Sequence, residues 1–306
     1  MAAKKKNIRK SSITFRRTSA AVSAASLLIS AMLIVSSCSK GAESSSVSET
    51  EATYSTKVDT TPAVTTTTEA PLVLLPEAQE RLAKHPDSAG WITIDGVVDE
   101  EVVQKFGDAE QGNSFYIDHG IDGKKSDAGV IFADYRNVLA GSKASDNIIL
   151  YGHNQKDNTR LGGLDSYKWS LRGPNASISY YKKHAIINFS TNYEKKQYKI
   201  FAIFTTNTLP EHDKGNVFDY QNYLEFDTEE RYNDFITKVT ERSYIKTGID
   251  VKYGDKFLTL STCDTDFDDA RLVVVARQVR DGESADIDFS QCSVNTNYKY
   301  PAAFSH

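Results

Sequence analysis

From Gly90 onward the chain alternates between short runs rich in Val, Ile, Phe and Tyr and clusters of turn residues. The runs are 91–94, 129–135, 147–151, 185–190, 197–205, 256–262 and 271–279. Runs of this length, bounded by polar turns, predict β-strands. Seven of them with no internal repeat predict one mostly antiparallel sheet or barrel. Two helices break the pattern. Pro76 with Glu77 and Glu80 behind it predicts a helix start, with proline in the first turn and acids near the N-terminus. Over 228–242, Tyr232, Phe235, Ile236 and Val239 fall on one face, while Arg231, Asn233, Asp234 and Lys238 fall on the other. That spacing predicts a helix packed on the barrel, with Asp227 as its N-cap and Glu230 as the box partner. A shorter helix is expected around Leu161–Tyr167.

The first seventy residues have a different pattern. Residues 1–38 hold seven of the 36 basic side chains and no acid; the basic groups lie between Lys4 and Arg17 and are followed by an apolar run from Ala20 to Val35. Positive charge stays on the cytoplasmic side of a membrane, so the rest of the chain is expected outside. The run is short for a spanning helix, so two readings stand side by side: a signal peptide and an uncleaved anchor. Val35-Ser36-Ser37-Cys38 resembles a bacterial lipobox, which makes Cys38 a lipidation candidate. From Ser39 to residue 75 the chain reads as a spacer. Nearly half of 39–70 is Ser or Thr, with almost nothing apolar to offset its ordering entropy. A folded domain is expected over 76–306. Without its basic leader the chain is strongly acidic, the wrong sign for binding nucleic acid. Three cysteines are too few for a disulfide scaffold.

Three residues could carry chemistry. Cys263 stands where the run Thr259-Leu260-Ser261-Thr262 meets a polar loop. Alone it reads as a small buried hydrophobe. His153 closes another β-run, in Tyr151-Gly152-His153-Asn154. A thiol needs a base beside it to act as a nucleophile near neutral pH, and imidazole suits that task. Arg271 opens the strand after the acidic loop. If its strand pairs with that of Cys263, both emerge at one end of the sheet. A guanidinium there could steady an oxygen that gains charge during acyl transfer. An ion pair with Asp268 or Asp269 is the alternative for Arg271. By strand alternation Ser261 shares a face with Cys263 and Thr262 faces away. Ser261, Thr262, Tyr151 and Asn154 are candidate substrate contacts.

These blocks together resemble the sortases, class B in particular. The resemblance is carried by Thr259-Leu260-Ser261-Thr262-Cys263 followed by Arg271 and by Tyr151-Gly152-His153-Asn154. Gly90-Trp91-Ile92-Thr93-Ile94-Asp95-Gly96, the block from Gly129 to Asn137 and the helix before the cysteine strand add to it. It spans roughly 76–280. It implies a closed eight-stranded β-barrel with N-terminal helices and a transpeptidase anchored by its N-terminus to the outer face of a bacterial membrane. Cys263 would be the nucleophile, His153 the general acid/base and Arg271 the oxyanion stabiliser. The implied partners are secreted proteins with a C-terminal sorting signal, cut after a threonine, and peptidoglycan or another amine acceptor. No cofactor is implied. A thiol protease that hydrolyses the same acyl-enzyme and a non-catalytic surface lipoprotein are the alternatives. The lipobox-like stretch departs from the usual family plan, in which a plain N-terminal helix is retained.

The acidic run Asp264-x-Asp266-x-Asp268 fails the EF-hand pattern, because Asp269 and Val275 stand where Gly and Glu are needed. It reads as a solvated loop, and no residues have zinc-site spacing. Cys292 is expected to be free. The tail after Asp281 lacks periodicity and is expected to hold little fixed structure.

Overall fold

The computed structural model describes residues 71–304. The basic leader, Cys38 and nearly all of the spacer lie outside them. In chain order the elements are α1 (Pro76–Lys84), β1 (Ser88–Ile94), β2 (Val98–Val103), β3 (Ile131–Ala133), β4 (Asn147–Tyr151), α2 (Asp165–Leu171), α3 (Ser179–Lys183), β5 (Ile186–Thr191), β6 (Lys195–Thr206), α4 (Glu229–Arg242), β7 (Ile245–Lys246), β8 (Phe257–Cys263), β9 (Arg271–Gln278) and β10 (Ser293–Val294). Eight strands close a barrel in the order β1-β2-β3-β4-β8-β9-β6-β5, and β7 pairs with β10 apart from it. The fold is the mostly β, closed eight-stranded barrel expected. Six of its pairings are antiparallel. The pairs β2/β3 and β4/β8 are parallel, which run lengths alone do not reveal. Strand β2 escapes sequence reading because Asp99, Glu100 and Glu101 interrupt its apolar pattern.

The continuous apolar runs of the central strands follow from covering both faces. Along β9, Leu272, Val274 and Ala276 point into the barrel core, and Val273 and Val275 point outward beneath α4. Helix α4 lays Tyr232, Phe235 and Val239 on that outer face against Phe201, Phe204 and Phe257. Its cap is Thr228, whose side chain accepts from the Arg231 N–H, rather than Asp227. Glu230 therefore sits one position too early to close a capping box. The expected short helix forms as a 3-10 turn at Gly162–Leu164 leading into α2.

The tail departs from expectation. Val294 pairs with Ile245 across β10 and β7. Phe289, Val294, Tyr298 and Tyr300 pack against the barrel core. Widely spaced aromatics anchor this segment, so no helical or strand period marks it. Cys292 is free and buried. Among the described residues no helix is long and apolar enough to cross a membrane.

Phe235 is fully buried between α4 and β8. Phe235→Ala is expected to lower unfolding free energy by about 3–5 kcal/mol. Urea unfolding checks this, and a change near zero would show that α4 does not depend on this contact.

Candidate active site

The site is a consequence of strand direction. Strands β4 and β8 run parallel, so both reach the same rim with their C-terminal ends, Tyr151 opposite Ser261. Strand β9 runs antiparallel to β8, so it reaches that rim with its first residue, and Arg271 lies directly opposite Cys263. His153 follows two residues after the Tyr151–Ser261 pair, which brings it level with Cys263. Two side-chain bonds lock the chain leaving β4 to the end of β8. Thr262 Oγ1 donates to the Gly152 carbonyl at 2.8 Å, and Asn154 Nδ2 donates to the Cys263 carbonyl at 3.0 Å.

The imidazole is oriented from behind. Its Nε2 lies 2.6 Å from the Ile117 carbonyl, which can only accept, so Nε2 carries the proton and Nδ1 is the basic nitrogen. This approach needs Gly129, which has φ +55°. A Cβ there would come within 2.6 Å of the Ile117 oxygen, 2.7 Å of the Tyr116 oxygen and 3.1 Å of His153 Cδ2. The Gly129 carbonyl in turn accepts from Arg160 Nε at 2.9 Å, and Arg160 is paired with Glu100 on β2.

Cys263 is half-buried. Burial pushes its thiol pKa up. The Arg271 guanidinium pulls it down, Asp269 and Asp264 push it up, and the net shift is upward. Arg271 Nη1 donates to the Ala270 carbonyl at 2.9 Å. Among the described residues it forms no ion pair with Asp268 or Asp269.

The remaining candidates divide by what their polar atoms touch. Ser261 Oγ lies 2.6 Å from the Tyr220 hydroxyl. The buried Tyr151 hydroxyl donates to Asp134 at 3.0 Å, and Asp134 also pairs with Arg136. The Tyr151 and Thr262 hydroxyls are thus engaged within the protein, and Asn154 is bound to the Cys263 backbone. Sequence reasoning missed Tyr220 and Ile117. Tyr220 sits in a loop without periodicity, and Ile117 acts through its carbonyl.

A closed barrel presenting a thiol, an imidazole and a guanidinium at one rim has the equipment of a cysteine acyltransferase. A sortase-domain profile matches residues 109–279. Sortase B of Staphylococcus aureus is 30% identical over 209 residues, covering 67% of this chain and 74% of that protein. Sortase B of Listeria monocytogenes is 29% identical over 196 residues, covering 63% and 70%. Among solved structures, a Staphylococcus aureus sortase B–substrate complex superposes with TM-score 0.55 at 28% identity, covering 68% of this chain and 86% of that one. Clostridium perfringens sortase B superposes with TM-score 0.55 at 27% identity, covering 66% and 99%. The chain belongs to the sortase family, class B, and is a cysteine transpeptidase.

The opposing charges around Cys263 give a direct check. Arg271→Ala is expected to move the pH midpoint of Cys263 alkylation by iodoacetamide further above the ordinary thiol value, because the group lowering it is gone. A midpoint that stays put or falls would show that Arg271 does not act on the sulfur.

Proposed function

We propose that the enzyme cuts a C-terminal sorting signal after a threonine, holds the new carboxyl end as a thioester on Cys263 and passes it to an amine at the cell wall. The observation that carries this reading is the register: Cys263 opposite Arg271, with His153 level on the parallel neighbour. Proton transfer from Cys263 to His153 Nδ1 yields a thiolate and an imidazolium. Burial of the thiol makes this pair a minority species near neutral pH. The thiolate adds to the scissile carbonyl, and Arg271 donates to the developing oxyanion. The C–N bond breaks as His153 returns its proton to the departing amine. An incoming amine then attacks the thioester, gives its proton to His153 and expels the Cys263 thiolate.

Two solved sortase B structures bear on the partners. One holds a substrate and another holds triglycine. They support a peptide sorting signal as donor and an N-terminal amine as acceptor for this chain. The amine could equally belong to a peptidoglycan stem or a pilin lysine. The basic and apolar N-terminus supports tethering at the outer face of the cell membrane, by Cys38 lipid or by a helix. The spacer through residue 75 would carry the catalytic domain of 76–306 away from the surface. Ser261, Tyr151, Thr262 and Asn154 would shape the site from behind the nucleophile.

Mass spectrometry of products from a sorting-peptide library with added amines tests this. Ligated product is expected from the unaltered enzyme and none from Cys263→Ala. Arg271→Ala should lose about 10²–10³ in kcat. Hydrolysis without ligation at saturating amine would replace transfer by the thiol-protease reading.

A further inference from the structure

The acidic run after Cys263 is not the solvated loop its composition indicates. Asp264 is 7% exposed and Lys168, on α2, is 0% exposed. Lys168 Nζ bonds Asp264 Oδ1 and lies 2.9 Å from Asp266 Oδ1. The other Asp264 oxygen accepts from Thr205 Oγ1, at the end of β6, at 2.5 Å. The other Asp266 oxygen accepts from the Tyr300 hydroxyl at 2.7 Å and pairs with Arg172. Arg172 is stacked between the rings of Tyr244 and Tyr300, 5.3 and 5.1 Å away. Helix α2, strand β6 and the C-terminal segment therefore converge on the two carboxylates that follow the nucleophile. Only Asp268 and Asp269 keep the solvated character expected of the run.

Buried ion pairs contribute little net stability over apolar packing, but they fix geometry, because either partner alone is costly to bury. Here the fixed geometry begins at the residue next to Cys263. We infer that Lys168 and Tyr300 are positioning residues. By clamping Asp264 and Asp266 they set the path of the chain leaving Cys263, and with it the aim of the sulfur toward His153 and Arg271. This rests on Cys263 being the nucleophile. The C-terminal segment is thereby part of the catalytic apparatus, although its residues lie beyond the span matched by the family profile.

The clamp also acts by charge. The thiol is acted on by Arg271 from β9, by Asp264 and Asp269 from its own loop and by Tyr220 from the loop before α4, and His153 stands level with it two residues beyond β4. Asp264 pushes the thiol upward. Lys168 balances that carboxylate.

The test uses the full chain and the variants Tyr300→Phe, Lys168→Met and Cys263→Ala. It reads peptide turnover, and alkylation of Cys263 by iodoacetamide against pH at the Cys263 tryptic peptide. Tyr300→Phe removes one hydrogen bond to a carboxylate. It is expected to keep KM within about twofold and lower kcat about tenfold, the worth of one such bond. Lys168→Met is expected to lower kcat about a hundredfold or more and to raise the alkylation midpoint, because Asp264 then acts on the thiol without its counter-charge. A role confined to folding would lower melting temperature without moving that midpoint. Folded variants with unchanged kcat and midpoint, or with only KM altered, would overturn the inference. If Lys168→Met does not fold, the kcat of Tyr300→Phe decides. An active Cys263→Ala would overturn the nucleophile assignment itself. An inactive Cys263→Ala beside unaffected Tyr300→Phe and Lys168→Met would overturn the clamp alone.

Discussion

The parallel pairing of β4 with β8 is the constraint on which the site depends. Parallel neighbours need a long crossover connection. Here the crossover contains α2, α3, β5, β6, α4 and β7. Its reward is directional. Two strands far apart in sequence finish at one rim, so His153 comes level with Cys263 without either standing on a long free loop. The antiparallel β9 then returns from that rim, which puts Arg271 beside the sulfur at its first residue. A one-residue slip in either pairing would turn one of these side chains to the opposite face.

Everything packed around the rim preserves that register. Outside the barrel, α4 covers the apolar face of β6, β8 and β9 with aromatic side chains. Behind the imidazole, Gly129 lets the Ile117 carbonyl approach and fix the ring. Below the thiol, Lys168 and Tyr300 hold the two carboxylates that follow it. The site is consequently built from groups that sit on the ends of strands and are held by bonds to the backbone or to buried charge. Such a scaffold suits the proposed reaction, in which one sulfur, one imidazole and one guanidinium serve two successive attacks on the same carbonyl carbon.

Much of this was legible in the chain. The strand ends at Cys263, His153 and Arg271 follow from runs that stop abruptly at polar loops, and β4 lies at the bounds its run predicts. Helix α4 shows its face through Tyr232, Phe235 and Val239, although its cap moves to Thr228. Other parts were hidden for physical reasons. Strand β2 carries acids at its centre. The tail holds on through isolated aromatics. The run from Asp264 to Asp269 looks hydrophilic because charge patterns do not reveal a partner 96 residues away, and Lys168 is such a partner. Carbonyls such as that of Ile117 leave no trace in residue identity at all.

Intact-protein mass spectrometry of the enzyme mixed with a sorting peptide and no added amine tests the central claim most directly. The account expects a transient mass gain equal to the peptide's N-terminal fragment, mapped to Cys263 and discharged by hydroxylamine. A fragment carried by another residue, or turnover with no covalent species under rapid acid quench, would contradict the convergence of these three groups into one acyl-transfer site.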